Sequence, residues 1–384
     1  MTSVTVLLII LQCALVYSQT KNPIIACYVT STKHDYDNIP DGLCTHYLHI
    51  GYGSVDWLGN FVGPEPNLIK NFTNLRNRHK SKPTMLLTLG ASNPHWSRLI
   101  SFKGNMEKFA NAAKKYLTEN GFQGLDLDWE FPYWSGDGAV WDREGFSQLI
   151  EILHNTFSPA GLIVTSAVSG PPTITRVAYD VPKLDKYLDY VFIMNYDFHV
   201  WHENAPFVGF NAPLHPLSQE RYALKEMNSE SAMSTWIQLG LSPSKAIYGI
   251  PTYNLGYLLA NGRFHTIFSF ATEETYEYTN HAKTCNLSKT EGWVEKWNDH
   301  AASPYLYNVA KKLWITNENE RSVRAKAKFA AEKGYGGLMV YALDTDDEYG
   351  VCQNEPFPLI NNMKLSFLKQ HKKKHFKKTL KPLR

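Results

Sequence analysis

Three acids alternate with apolar residues in the stretch Gly121-Phe122-Gln123-Gly124-Leu125-Asp126-Leu127-Asp128-Trp129-Glu130-Phe131-Pro132. Successive side chains of a β-strand point to opposite faces, and residues two apart lie about 7 Å from each other on one face. We therefore expect Asp126, Asp128 and Glu130 to share one face of a strand. The opposite face then carries the apolar side chains Leu125, Leu127 and Trp129.

Three carboxyl groups on one strand face are typical of a site for chemistry rather than of a stabilising arrangement. Like charges this close raise one another's pKa, so at least one group should hold a proton near neutral pH. The alternatives are a charged face exposed to solvent and a calcium site. The apolar neighbours argue against exposure, and a linear row of acids lacks the looped ligand geometry of calcium.

Short β-rich apolar segments alternate with helical patterns along the chain, which indicates repeated βα units and a parallel sheet. Helices are predicted at 104–119, 143–157 and 320–333. Strands are predicted at 24–29, 45–52, 84–90, 124–130, 162–168, 190–196, 246–251 and 336–343. We therefore predict an α/β fold, a closed (β/α)8 TIM barrel, with Glu130 at the end of its strand, where barrel enzymes place their chemistry.

The segment 253–318, between the seventh and eighth predicted strands, is too long for one loop and one helix. We predict a small α+β insertion domain there, which walls one side of the site. The predicted organisation is a signal peptide at 1–18, a barrel at 19–252 and 336–368, the insertion with the following helix at 253–335, and a basic tail at 369–384.

The first residues resemble an export signal, because an apolar run at 6–16 is followed by small residues near position 18. Basic residues are absent before the run. A membrane anchor is the alternative, but the run is too short to span a bilayer comfortably. Glycosylation sequons at Asn71 and Asn286 are consistent with export. We therefore expect a secreted, extracellular protein without a membrane span.

One of the five cysteines, Cys13, falls in the predicted signal peptide. The other four are Cys27, Cys44, Cys285 and Cys352. An even number in a secreted chain predicts two disulfides, for which three pairings are possible. We favour the local pairing, which joins the first two and the last two. Their spacing does not resemble a zinc site, and we expect neither a metal nor a cofactor.

The formal net charge of +3 is unevenly distributed along the chain. Nine Lys or Arg and no acid lie in 364–384, so the remainder carries a formal charge of −6. Such a run is either a solvated, disordered end or a surface that adheres to acidic polysaccharide or matrix. Nucleic acid is not an expected partner of an exported protein.

The stretch at 121–132 resembles the signature of family 18 glycoside hydrolases, Asp-Gly-x-Asp-x-Asp-x-Glu followed by an aromatic residue and Pro. Four further segments resemble family motifs in the same order: Thr88-Leu89-Gly90-Ala91, Met194-Asn195-Tyr196-Asp197, Gly249-Ile250-Pro251-Thr252-Tyr253 and Gly336-Gly337-Leu338-Met339-Val340-Tyr341-Ala342-Leu343-Asp344. The resemblance extends from Cys27 to about Leu368. It also agrees with the insertion and with a pairing of Cys285 with Cys352.

The resemblance implies hydrolysis of chitin-like β-1,4-linked N-acetylglucosamine by a retaining, substrate-assisted mechanism. Glu130 would protonate the leaving oxygen while the substrate's acetamido oxygen attacks the anomeric carbon, and would later activate water. Asp128 would orient the acetamido N–H, and Asp126 would hold the proton of Asp128 when that side chain faces inward. Tyr196 would donate a hydrogen bond to the acetamido oxygen.

The resemblance further implies sugar contacts from Tyr28, Trp129, Phe131, Met194, Asp197, Tyr253 and Tyr341. Some positions depart from the family pattern: Gln123 replaces an Asp, Thr88 a Ser, Tyr341 a Trp and Gly51 a Phe, and Leu255 stands near a usual Arg. We expect an altered pH profile and weaker binding rather than loss of activity.

Other aromatic residues belong either to the sugar groove or to the core and surface: Trp96, Tyr133, Trp134 and Trp201. Tyr133 and Trp134 are the better groove candidates, since they follow the fourth predicted strand directly. His199 and His202 lie in a predicted loop without a metal-ligand set.

The principal prediction is an extracellular, monomeric chitinase that binds chitin or N-acetylglucosamine oligomers. One alternative is a lectin of the same fold that binds chitin without cutting it. Such proteins typically lose the terminal Glu, whereas Glu130 is present. Another alternative is a structural matrix protein retained by its basic tail.

Overall fold

In this computed structural model, the structure describes residues 23–30 and 36–379, with side chains up to residue 374. The predicted signal peptide at 1–18 and the end of the predicted basic tail, 380–384, lie outside the described residues. Within the described ranges, no helix has an apolar stretch long enough to cross a bilayer.

A closed parallel barrel forms the body of the protein. The strands are β1 (Ile24–Val29), β2 (His46–Val55), β3 (Phe61–Val62), β4 (Thr84–Gly90), β5 (Gly124–Asp128), β6 (Ile163–Ser169), β7 (Tyr190–Met194), β8 (Ala246–Pro251), β9 (Leu255–Leu259), β10 (Ala271–Thr275), β11 (Trp293–Asn298), β12 (Ser303–Asn308), β13 (Leu313–Thr316) and β14 (Gly337–Tyr341). The barrel runs β1, β2, β4, β5, β6, β7, β8, β14, and it closes because β1 pairs with both β2 and β14. The predicted (β/α)8 fold is confirmed.

Most of the helices surround this barrel and bury apolar residues against it, and one short helix lies in the insertion. The helices are α1 (Pro66–Arg78), α2 (Asn93–Ile100), α3 (Lys103–Glu119), α4 (Asp142–Phe157), α5 (Pro172–Ala178), α6 (Val181–Tyr187), α7 (Ser229–Gln238), α8 (His281–Thr284), α9 (Glu320–Lys333) and α10 (Pro358–Thr379). In α3, buried residues recur at the spacing of one helical face, as at Met106, Phe109 and Ala113. The main core therefore lies between strands and helices.

The interior of the barrel holds a smaller core that includes Tyr28, Phe192 and Met339. Two of the predicted strands end earlier than expected beside the acids, because β5 ends at Asp128 and β7 ends at Met194. Glu130 and Tyr196 consequently lie just beyond their strands, in the segments that leave the barrel at its carboxyl end.

The insertion between β8 and α9 is a five-stranded antiparallel sheet with the order β10, β9, β13, β12, β11. The Cys285–Cys352 disulfide joins this insertion to the segment after β14, with Cα atoms 5.9 Å apart. The Cys27–Cys44 disulfide joins β1 to the segment before β2. Both favoured pairings are present in the structure.

Much of the predicted basic tail continues the last helix, α10, which extends to Thr379. Gln370 donates a hydrogen bond of 2.9 Å to the Glu332 carboxylate, and Lys374 donates one of 2.9 Å to the Glu332 carbonyl. The described helix reaches Thr379, and contacts with the end of α9 hold it as far as Lys374.

Candidate active site

The acids of β5 rise from the closed interior of the barrel to its open mouth. Asp126 is completely buried, Asp128 is partly buried, and Glu130 is exposed just beyond the strand. Leu125 and Leu127 point the other way, into the main core. The alternation of the sequence therefore places the acids on the inner face.

Asp126 is surrounded by three hydroxyl donors. Tyr28 and Thr88 donate to Oδ2 at 2.7 and 3.1 Å, and Thr165 donates to Oδ1 at 2.6 Å. Thr88 on β4 and Thr165 on β6 are the register neighbours of Asp126. Burial raises the pKa of Asp126 to about 6, and hydrogen bonds from Thr165, Tyr28 and Thr88 oppose that rise.

Thr165 was not identified from the sequence, although one signal was present. It occupies an inward position of its strand, opposite Asp126. The three hydroxyls, rather than Asp128, are the hydrogen-bond partners of Asp126 among the described residues. A shared proton between the two carboxyl groups stays a prediction.

Asp128 carries the middle carboxyl group of the row. Its Oδ1 atom is buried and has no hydrogen-bond partner among the described side chains and backbone. Burial raises the pKa of Asp128 well above its usual range, and the negative charges of Glu130 and Asp126 raise it further. Asp128 therefore combines a preference for a proton with an oxygen that can accept a new hydrogen bond.

Glu130 is accessible to solvent, yet its pKa is raised. The surrounding barrel wall removes enough of its hydration to raise its pKa, and the charge of Asp197 adds to this effect. A raised pKa favours the protonated form, which can donate a proton to a bound molecule.

Tyrosine side chains line the mouth of the barrel beside these acids. The ring of Tyr196 lies 5.8 Å from those of Tyr341 and Tyr253, and its hydroxyl lies 3.9 Å from the Met339 sulfur. Tyr253 donates a hydrogen bond of 2.5 Å to Asp197 Oδ1. Tyr341 also approaches Tyr28, at 5.7 Å between ring centres. These residues form flat walls around the acids.

Trp129 is not brought to this site. It is buried in the main core, where it stacks on Trp96 at 5.6 Å and donates a hydrogen bond of 2.6 Å to Asn93. The expected sugar contact of Trp129 is therefore wrong, because its ring, just beyond the end of β5, packs outward against α2. Trp96 is buried with it.

The remaining aromatic and histidine candidates lie in different surroundings. Met194 and Phe131 pack at the inner core. Trp201 packs in the insertion and donates a hydrogen bond to Ala271, while His199 contacts the Phe207 carbonyl. The exposed candidates are Tyr133, Trp134 and His202.

Gln123 lies at the opposite end of β5 from Glu130. Its side-chain oxygen accepts a hydrogen bond of 2.9 Å from the Met85 N–H, and its amide donates one of 2.8 Å to the Gly121 carbonyl. Gln123 thus bridges backbone at the base of the barrel, and the altered pH profile stays a prediction.

The predicted absence of a metal can be examined at one cluster. In the described part of the chain, His281, Cys285 and Cys352 are the group close enough to hold an ion. Both sulfur atoms are joined in a disulfide, so they offer no thiolate ligands.

The sequon residues Asn71 and Asn286 lie on α1 and in the insertion, and their glycosylation stays a prediction.

Comparisons with known proteins agree with the barrel fold. The family model for glycosyl hydrolases family 18 matches residues 24–346. The chain is 30% identical over 341 residues to chitotriosidase-1 of Mus musculus, a match that covers 85% of this chain and 72% of that protein.

Two solved structures extend the comparison to the fold. The Ostrinia furnacalis Group IV chitinase in complex with allosamidin matches with a TM-score of 0.82 and 26% identity, covering 91% of this chain and 100% of that one. Human YKL-39, described as a pseudo-chitinase with retained chitooligosaccharide binding properties, matches in fold with a TM-score of 0.80 and 24% identity, covering 90% and 99%. Since the family model spans most of the sequence, the chain belongs to family 18 of the glycosyl hydrolases.

Proposed function

We propose that the protein is a secreted chitinase that cleaves β-1,4-linked N-acetylglucosamine polymers with retention of configuration. The observation that carries the proposal is the inner row of Asp126, Asp128 and Glu130, which ends at the open mouth of the barrel. The rings of Tyr196 and Tyr341 beside it suit the apolar faces of sugar rings.

The proposed reaction begins with proton transfer from Glu130 to the glycosidic oxygen as its bond to the anomeric carbon breaks. The substrate's acetamido oxygen forms a bond to that carbon on the opposite side, which gives an oxazolinium ion. Glu130, now ionised, removes a proton from water. The resulting attack on the anomeric carbon reopens the ring and restores the acetamide.

Asp128 and Tyr196 are suited to hold the acetamido group during these steps. The unpaired Oδ1 of Asp128 can accept the acetamido N–H, and a negative charge there would stabilise the oxazolinium ion. Among the residues that the structure describes, the hydrogen-bonding contact of the Tyr196 hydroxyl is a long one, 3.9 Å to the Met339 sulfur. It can therefore donate to the acetamido oxygen.

Hydrolysis of a soluble N-acetylglucosamine oligomer tests the proposal. We expect Glu130→Gln to lower kcat by at least ~100-fold, the scale of a lost general acid. Glu107→Gln is the matched control, because Glu107 is an exposed residue of α3. Equal rates for wild type and Glu130→Gln would contradict the assignment of the acid.

A lectin is the second candidate function. It is favoured by Tyr341, which replaces the Trp expected from the family resemblance, and by the fact that YKL-39 shares the fold. The two candidates differ in one measurement. A wild-type protein that binds the oligomer in calorimetry but releases no shorter product over a long incubation would be a lectin.

Export and retention on an acidic surface complete the proposal. Three lysines, Lys369, Lys372 and Lys373, are exposed near the end of α10 and suit a sulfated or carboxylated polysaccharide. Export predicts a mature N-terminus near residue 19 when the protein is produced in secreting cells. Replacing these lysines with Ala should lower the salt concentration that elutes the protein from heparin.

A further inference from the structure

The Cys285–Cys352 disulfide, here called the junction disulfide because it joins the insertion to the segment after β14, lies beside a buried histidine. His281 begins α8, and Cys285 follows the last residue of that helix. The Cys285 N–H donates a hydrogen bond of 2.9 Å to the His281 carbonyl, so the two residues are one helical turn apart and lie on the same side of it. A ring nitrogen of His281 and the sulfur atoms of Cys285 and Cys352 all lie within 4.8 Å of one another.

The imidazole ring of His281 is available for a new contact. Its side chain is buried, and neither ring nitrogen has a hydrogen bond among the described residues, although the Glu318 carbonyl lies near the ring. Burial lowers the pKa of His281, and the negative charges of Glu320 and Asp347 oppose this effect. The neutral imidazole that burial favours is also the form that binds metal ions.

A cavity of about 110 Å³ adjoins the junction disulfide and His281. Its lining includes the carboxylates of Glu295 and Glu320 and the ammonium group of Lys289, so carboxylates outnumber cations and favour a positive ion there. Tetrahedral zinc holds two sulfur ligands about 3.8 Å apart, and the cavity gives the sulfur atoms room to separate once their bond is broken. It also has room for a water molecule as a fourth ligand.

The junction disulfide is more accessible than the disulfide between Cys27 and Cys44. Cys285 and Cys352 are half-buried, whereas Cys27 and Cys44 are 0% and 1% exposed. Thiol–disulfide exchange requires a thiolate to reach one of the sulfur atoms. A reductant should therefore open the junction disulfide first and leave the barrel disulfide intact.

We propose that the junction is a reduction-dependent Zn²⁺ site, with Cys285, Cys352 and His281 as its protein ligands. A dithiol supplies two electrons and two protons to the junction disulfide, which becomes two thiols while the dithiol becomes a disulfide. Zn²⁺ binding then releases both thiol protons to solvent, and neutral His281 donates a ring lone pair. The metal replaces the disulfide as the link between the insertion and the barrel.

Titration with Co²⁺, a coloured substitute for Zn²⁺, tests the site. The protein is reduced with dithiothreitol, separated from it in the absence of air, and checked for two free thiols by alkylation and mass spectrometry. We expect the reduced protein to bind one equivalent of Co²⁺ with thiolate-to-cobalt absorption in the near ultraviolet, and added Zn²⁺ to abolish this absorption. The oxidised protein should show no such absorption, and Ca²⁺, which prefers oxygen ligands, should not compete.

Variants assign the ligands. His281→Ala should weaken Zn²⁺ binding by the reduced protein at least ~100-fold, beyond the roughly 10–100-fold cost of losing a hydrogen-bond partner of a ligand. His215→Ala is the matched control, since His215 is 40% exposed and pairs with Glu230, and it should leave Zn²⁺ binding unchanged. The double substitution Cys285→Ser and Cys352→Ser should abolish the thiolate absorption. Zn²⁺ should also raise the Tm of the reduced wild type but not that of the oxidised protein.

Reduced wild type that binds no Co²⁺, or His281→Ala that binds Zn²⁺ as tightly as wild type, would overturn the proposal. Equal thiolate absorption in the double Cys variant would overturn it as well, because the metal would then lie elsewhere. If His281→Ala does not fold, X-ray absorption of the Zn²⁺-loaded reduced wild type decides the matter. Two sulfur ligands with an imidazole support the site, and any set without both sulfur atoms or without an imidazole contradicts it. None of these measurements depends on hydrolysis of a polysaccharide.

Discussion

The Thr165 hydroxyl makes the shortest of the three hydrogen bonds to Asp126, at 2.6 Å. Thr165→Val removes this hydroxyl with little change in the shape of the side chain. Hydrogen bonds to a charged group contribute about 1.5–3 kcal/mol. Because one pKa unit corresponds to about 1.4 kcal/mol, the substitution should raise the pKa of Asp126 by roughly one to two units. Its pKa of about 6 would then move to roughly 7–8.

The sign of the effect on stability follows from proton binding. The folded state holds the Asp126 proton more tightly than the unfolded state, since burial raises the pKa from 3.8 to about 6. As pH rises from below 3.8 to above 6, ionisation of Asp126 therefore lowers the unfolding free energy of the wild type by about 3 kcal/mol. In Thr165→Val this loss should grow by about 1.5–3 kcal/mol and extend to about pH 8.

Urea unfolding of wild type, Thr165→Val and Thr165→Ser at pH 5 and pH 8.5 measures this difference. We expect the destabilisation by Thr165→Val to be larger at pH 8.5 than at pH 5. Thr165→Ser keeps the hydroxyl, so its effect should depend little on pH. The reasoning would be refuted by a Thr165→Val destabilisation of the same size at both pH values, because the hydroxyl would then not stabilise an ionised Asp126.

Two further predictions concern the sugar wall and the buried ion pair. Tyr341→Trp should tighten binding of an N-acetylglucosamine oligomer roughly threefold through added apolar contact, measured by calorimetry in the Glu130→Gln background; weaker binding would argue that Tyr341 does not contact the sugar. Lys326 and Glu318 form an ion pair that is almost completely buried. Lys326→Ala should therefore lower the unfolding free energy, measured by urea denaturation, by about 3–5 kcal/mol, because it leaves Glu318 unpaired. The control Lys328→Ala removes an exposed ion pair of the same helix and should lower the unfolding free energy by less than about 1 kcal/mol.

The inner row of acids could be predicted because alternation along one strand depends only on local geometry. Asp126 and Glu130 needed no knowledge of neighbouring strands to be placed on one face. The donors Thr88 and Thr165 depend on how β4 and β6 align with β5, and this alignment is a property of the closed barrel. Single-strand patterns therefore identified the acids but not all of their partners.

Other differences arise from contacts between distant segments. The basic segment near the C-terminus reads as a charged tail, yet Gln370 and Lys374 contact Glu332 at the end of α9 and hold it as a helix. Trp129 shows the opposite case, because its strand position already predicted the outward face that the structure has. The resemblance to the family assigned it a sugar contact, and the local pattern was the better guide.

The most direct test of the central claim compares an N-acetylglucosamine oligomer with its fully deacetylated counterpart, with the first product followed by NMR of the anomeric protons. If Asp128 and Tyr196 hold the acetamido group that attacks the anomeric carbon, only the acetylated oligomer is cleaved, and the β-anomer appears first. Comparable cleavage of the deacetylated oligomer, or initial release of the α-anomer, would contradict the account.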